Sequence, residues 1–235
     1  MDKAKSMGAE MDGVTLGGGT AIMLHIDHRD SHDIDLFLSD ADSLVALEEI
    51  VRNLAKGENL EFRGAEGSYI SLNDSRLGEI DFIYGRLAGV NADASVPGWW
   101  QPAVRRELAG RPIWLETVPE IIGKKIYYRC TSLTPRDVFD IAAACEAGYR
   151  EDIRKIMSSM PKEVATAAWV IENFPDGHVK DRMQQYDVRP KFRHLLDDAP
   201  DIVISMIDNQ DLAATGRSQR SHTDNWTPPE PSPFD

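Results

Sequence analysis

Cysteine is nearly absent: Cys130 and Cys145 are the only two in 235 residues. Neither has a CxxC partner, which excludes a disulfide framework and a thiolate metal site and fits a reducing cytosol. Long apolar runs are missing too. None approaches the roughly 20 residues needed to cross a membrane. The leader, Met1 to Asp12, is charged and has no apolar stretch, so it reads as no signal peptide. Cations are in deficit, with 26 Lys and Arg against 39 Asp and Glu, a net charge of −13. Such a surface repels nucleic acid in general, and a nucleic-acid substrate would need a local basic patch. The acidic excess fits a solvated surface or a site that gathers carboxylates around metal ions.

What is present is an ordinary globular balance, 42% hydrophobic and 28% charged, enough to bury a sizeable core. No internal repeat is visible. The front half alternates element types. A glycine turn opens a helix from Thr20 to about His28. Asp33 to Leu38 reads as a strand, with Ile34 and Leu36 on one face and Asp35 and Phe37 on the other. Leu44, Leu47, Val51 and Leu54 recur at helical spacing over 42–56, and Gly57 suits the following cap. Strands are expected at Leu60 to Arg63, Tyr69 to Leu72, Glu79 to Tyr84 and Ile113 to Leu115. The stretch from Leu87 to Pro112, with Gly98-Trp99-Trp100, carries no clear period. From Pro119 on the chain reads as helices at 135–147, 150–160, 161–173 and 200–208. Thr134 is placed to cap the first of these, with Pro135 at its first position and Asp137 at the third. The expected architecture is an α/β (α+β) domain with a mixed sheet over 1–118, an α-helical domain over 119–210, and a disordered proline-rich tail over 211–235.

Chemistry concentrates in Leu16 to Phe37, LGGGTAIMLHIDHRDSHDIDLF. Gly17, Gly18 and Gly19 permit a tight turn with exposed N–H groups at a helix start, a shape that can hold phosphate oxygens. Asp33 and Asp35, two apart on a strand, project from one face and repel each other unless cations intervene. Magnesium, a hard ion that prefers oxygen ligands, suits them. Asp81 lies in another apolar strand, where an acid is costly unless paired or metal-bound. If the two strands are neighbours, the three carboxylates can hold two metal ions for in-line attack on phosphorus.

Taken singly, each feature has a plainer reading. A run of glycines is usually a loop, Asp-x-Asp often sits on a half-exposed strand, and Asp81 could face solvent from an edge. Lys125 and Arg129, four apart, read as one solvated helix face. A helix cap explains Asp137 on its own. His25, His28 and His32 mix helix and loop spacing, which makes a poor zinc set. Arg29 could reach a phosphate or pair with Asp33. The glycines, the acid pair and the third acid in this order outweigh the separate readings.

The turn and Asp-x-Asp strand resemble the signature of polymerase-β-type nucleotidyltransferases. More narrowly, His28-Arg29-x-Ser31-x-Asp33-Ile34-Asp35-Leu36-Phe37 looks like the AbiEii/AbiGii-type toxin family. Lys125-Ile126-Tyr127-Tyr128-Arg129 followed by Arg136-Asp137-x-Phe139-Asp140 is similar to that family's second block. The resemblance spans Gly17 to Ala144. It implies a nucleotidyltransferase-like fold and a cytoplasmic bacterial enzyme paired with an antitoxin. The reaction implied moves a nucleotide from a nucleoside triphosphate to an acceptor, in some members the 3′ end of transfer RNA. By the same resemblance Asp33 and Asp35 bind the metals, and Asp81 binds the catalytic metal and helps deprotonate the acceptor. Gly18, Gly19 and Thr20 cradle the triphosphate, Lys125 neutralises phosphate, and Asp137 orients Lys125 or the acceptor. One departure is the short leader, where members carry one or more helices, which implies a truncated or late-starting N-terminus. Two alternatives stay open: a small-molecule or protein hydroxyl as acceptor, or a catalytically silent module that binds a partner protein.

Overall fold

The computed structural model describes residues 14–38, 41–56, 60–76, 78–85 and 101–215, with the backbone alone for Leu54, Glu66 and 209–215. The leader, Gly57, Gly98-Trp99-Trp100 and the proline-rich end from 216 lie outside the described residues. The chain divides into two compact units. Among the described residues, one gathers those up to His25, from Asp30 to 85 and from 101 to Thr117, and the other gathers Ile26–Arg29 and Val118 onward.

The first unit is built on β1 (Thr15–Leu16), β2 (Ile34–Leu38), β3 (Leu60–Glu66), β4 (Tyr69–Asp74), β5 (Gly78–Tyr84), β6 (Ala103–Leu108) and β7 (Arg111–Glu116). They form one mixed seven-stranded sheet in the order β3-β4-β5-β2-β1-β7-β6. β2 runs parallel to β5 and β1 parallel to β7, while β1 and β2 are antiparallel. Helix α1 (Gly18–Ile26) follows β1, and α2 (Ala41–Ala55) follows β2.

Alternation sorts the strand residues onto two faces. Leu36, Leu38, Ile70, Leu72, Ile80 and Phe82 join Leu44, Leu47 and Val51 of α2 in one apolar cluster. Each α2 contact sits three or four residues from the last, so the helical stripe read from the sequence is the packing face. Asp35 and Asp81 necessarily project from the opposite face.

The hairpin β6–β7 departs from the sequence reading. β7 is longer than Ile113–Leu115, and β6 was not legible at all. Only Ala103 and Val104 of β6 are half-buried, and Arg105 to Leu108 are exposed. β6 is a polar edge strand, and edge strands resist further pairing with charge rather than by alternating apolar residues. Its register is set by a two-residue turn, Ala109 (φ 50°) and Gly110 (φ 76°).

The second unit contains α3 (Val118–Arg129), α4 (Pro135–Ala144), α5 (Arg150–Met157), α6 (Pro161–Glu172), α7 (His178–Met183) and α8 (Leu195–Thr215). Thr134 and Asp137 form a complete capping box at the start of α4. A single π turn follows α4, and Gly148 (φ 100°) breaks it before α5. α8 corrects two expectations. It begins five residues before Pro200 and runs to Thr215, into the stretch read as tail. Leu195, Ala199, Val203 and Met206 are all buried at helical spacing, so the apolar stripe carries the helix across the proline.

Leu47→Ala should cost about 2–5 kcal/mol, as deletion of a buried leucine does. Val45→Ala, on the exposed face of the same helix, should stay within about 0.5 kcal/mol of wild type. Denaturant unfolding of the two variants checks which face of α2 is packed.

Candidate active site

The row begins where β1 ends. Gly17 N donates to Asp35 O at 2.9 Å. Across the next ladder Asp35 is the register partner of Asp81, and Asp81 is the partner of Ser71. Partners on neighbouring strands share a face about 4.8 Å apart, so Ser71, Asp81, Asp35 and the vacant side of Gly17 form one row.

The glycines are required by what lies beside them. Gly18 has φ 62°, and a Cβ there would collide with Asp35 Oδ2. A Cβ at Gly17 would lie 2.5 Å from Glu116 Oε2 and 2.6 Å from the Phe37 ring. Gly19 opens α1. Thr20 hydrogen-bonds the Asp33 carbonyl oxygen, and its hydroxyl lies 3.1 Å from that of Ser31. That contact fastens the helix start to the loop carrying Asp33. Asp33 itself stands one residue before β2, with Oδ1 beside Gly78.

Glu116 was missed by sequence reading. It is 2% exposed and extends the row on the far side of Gly17. The Thr15 hydroxyl donates to its Oε1 at 3.0 Å, and His25 Nε2 donates to its backbone oxygen at 2.8 Å. No local motif marks it. Only the parallel pairing of β7 with β1, across a hundred positions, brings it to the turn.

The row is electrostatically costly. Burial is the main cause that raises the Asp81 carboxyl from its ordinary 3.8 to about 6. The Ser71 hydrogen bond works against this, and Glu79, Asp35 and Asp33 add to it. Asp81 Oδ1 is buried and meets no hydrogen-bond donor. Among the described residues no three His, Cys, Asp or Glu side chains already stand as a metal-ligand set. The donors are nonetheless of the kind a hard divalent cation takes: carboxylate oxygens on adjacent strands, one of them without a donor and reluctant to ionise alone.

The second unit holds a different cluster. Asp140 is fully buried. It accepts from Arg29 Nε at 2.8 Å, Arg29 Nη2 at 2.9 Å and His28 Nε2 at 2.8 Å, with Lys125 Nζ 3.3 Å away. Asp137 accepts from Lys125 Nζ at 2.5 Å, from the Thr134 backbone N–H and hydroxyl, and from Arg129 at 3.4 Å. Burial opposes ionisation of Asp140, but Arg29, Lys125 and His28 hold its carboxyl well below the usual range. Asp137 is likewise lowered, against its burial, by Lys125 and Arg129. Two expectations are corrected here. Arg29 does not wait in solvent for a phosphate; it forms a buried fork on Asp140. Lys125 is not a surface lysine, since it is 8% exposed and committed to two buried acids. The histidines part company: His25 meets Glu116, His28 meets Asp140, and His32 is exposed.

The family model "Nucleotidyl transferase AbiEii toxin, Type IV TA system" matches residues 4–213. The chain belongs to this family. It is a nucleotidyltransferase, and both blocks of the sequence resemblance fall inside the match. No curated protein matches the chain. Among solved structures, a lincomycin-bound lincosamide antibiotic adenylyltransferase, LnuA, aligns at 18% identity over 60% of this chain and 89% of its own. The TM-score of that alignment is 0.38.

Two predictions follow from the two clusters. An acid whose pKa is raised by folding loses stability as pH rises from its unfolded to its folded value, here from about 4 to about 6. Metal-free Asp81→Asn should therefore melt above wild type near pH 7 and with it near pH 4. Lys125→Ala leaves buried Asp137 without its principal cation and removes one of the cations around Asp140, and should cost about 3–5 kcal/mol. The same truncation of a surface lysine would be nearly neutral, so chemical denaturation separates the two cases.

Proposed function

We propose that this AbiEii-family enzyme transfers a nucleotidyl group from a nucleoside triphosphate to the 3′ hydroxyl of an RNA, transfer RNA included. In this reading it acts as the toxin of a bacterial toxin–antitoxin pair. The observation that carries the reading is the row formed by Asp81, Asp35 and the Gly17-Gly18 turn. It joins an anion-binding backbone to paired carboxylates on one sheet face.

Asp33, Asp35 and Asp81 are the proposed ligands of two magnesium ions. The cations would polarise the phosphoryl oxygens and neutralise charge on the leaving group. The backbone of Gly18 and Gly19 cradles the triphosphate. Thr20, tied to the Asp33 carbonyl, keeps that turn in register with the carboxylates. The acceptor oxygen bonds to the α-phosphorus, the bond to the β-phosphate bridge breaks, and pyrophosphate leaves. The hydroxyl proton would pass to the Asp81 carboxylate, which stands beside the proposed metal ligand Asp35. Lys125, oriented by Asp137 and Asp140, is the proposed phosphate-neutralising cation. The family supports a cognate antitoxin and action in the cytoplasm, where triphosphates and RNA meet. Among the described residues, no helix is long and apolar enough to cross a membrane.

The test is incubation with each labelled triphosphate, magnesium and total cellular RNA. Label should appear on RNA. Asp35→Asn should reduce transfer roughly a hundred- to a thousandfold while the melting temperature stays near that of wild type. Label on small molecules or on protein instead would move the acceptor to another class, an outcome the net charge of −13 keeps in view. An Asp35→Asn enzyme that transfers at the normal rate would overturn the assignment of the carboxylates.

A further inference from the structure

The hairpin β6–β7 carries a feature the chemistry above does not use. Trp114 is 47% exposed on a strand whose neighbours Leu115 and Glu116 are buried. Its register partner on the edge strand is Arg105, which is also exposed. On the other side Trp114 pairs with Thr15, and Thr15 pairs with Phe37. Phe37 lies two residues from Asp35 on the same strand, and Trp114 lies two residues from Glu116. By alternation Trp114 and Arg105 project from the sheet face that carries Asp35, Asp81 and Glu116. Two strand spacings and two residue steps put Trp114 roughly 12 Å from Asp35, a reach of a few nucleotides.

The charge of this hairpin runs against that of the whole molecule. Arg105, Arg106 and Arg111 are exposed within residues 103–116 against one exposed acid, Glu107, in a chain of net charge −13. A large aromatic ring is costly to leave in water. Beside a guanidinium it makes a surface on which a nucleobase can stack while the phosphate backbone is neutralised.

We propose that Trp114 and Arg105 form the acceptor platform of this enzyme, on which unpaired bases next to the 3′ end of a single-stranded RNA stack. This rests on the reading of the acceptor as RNA. Trp114 supplies the stacking face, which every base can use, so the platform selects unpaired RNA rather than a base sequence. Arg105 supplies charge to the backbone and makes the contact salt-dependent. Duplex ends, whose bases are already stacked, gain little from it.

The experiment measures equilibrium binding of a 5′-fluorescent single-stranded RNA with a free 3′ hydroxyl, and separately of magnesium–triphosphate, to the full chain. Trp114→Ala should weaken RNA binding about five- to a hundredfold, the loss of one or two stacked bases. Trp114→Phe should restore most of it. Arg105→Ala should weaken RNA binding and flatten its salt dependence. Triphosphate affinity and melting temperature should not move in any variant. If wild type binds RNA and Trp114→Ala binds it equally well, the platform is wrong and the RNA reading survives. If wild type binds triphosphate but no RNA, the RNA reading falls and takes the platform with it.

Discussion

Like charge on one sheet face is the constraint from which the rest of the first unit follows. Asp35 and Asp81 are register partners, Asp33 stands just ahead of them, and Glu116 closes the row beyond Gly17. Side chains at Gly17 or Gly18 would occupy the space these acids and Phe37 fill, so the turn must be glycine. On β2 and β5 the opposite face is apolar and packs under α2. A one-residue slip of β2 would turn Asp35 towards the core and expose Leu36 and Leu38, and hydrophobic packing therefore fixes the register on which the acid row depends. The energy that tolerates a raised Asp81 pKa comes from that packing, on the far side of the sheet.

The second unit resolves buried charge differently. Asp137 and Asp140 are matched by Arg29, Lys125, His28 and Arg129, and both carboxyls are held below their ordinary range. Matched charge stabilises the ionised form, whereas unmatched charge calls for a ligand. The contrast separates a cluster whose acids are already charge-matched from a row that gains by binding a cation.

Much of this was legible in the sequence, for reasons that can be named. Glycine turns, Asp-x-Asp alternation and the Thr134–Asp137 capping box are short-range patterns, and a sequence displays short-range patterns directly. The neighbouring strands of Asp35 and Asp81 were inferred from two apolar strands, each carrying an acid. Long-range or inverted features were hidden. Glu116 reaches the turn only through pairing of β7 with β1. β6 is an edge whose exposed arginines imitate a loop. Lys125 and Arg129 share a helix face that looks solvated, until Asp140 is known to be fully buried among Arg29, His28 and Lys125. Pro200 read as a helix start because proline suits a first turn, whereas the buried stripe Leu195, Ala199, Val203 and Met206 carries α8 across it.

The central claim is that the acid row is a divalent-cation site in which Asp81 gives up a proton on loading. Calorimetric titration of manganese into the metal-free protein, in buffers of different ionisation enthalpy, counts that proton. With an Asp81 carboxyl near 6, about half a proton should be released per protein near pH 6, falling towards none by about pH 8. Binding without proton release near pH 6, or no binding at all, would contradict the account.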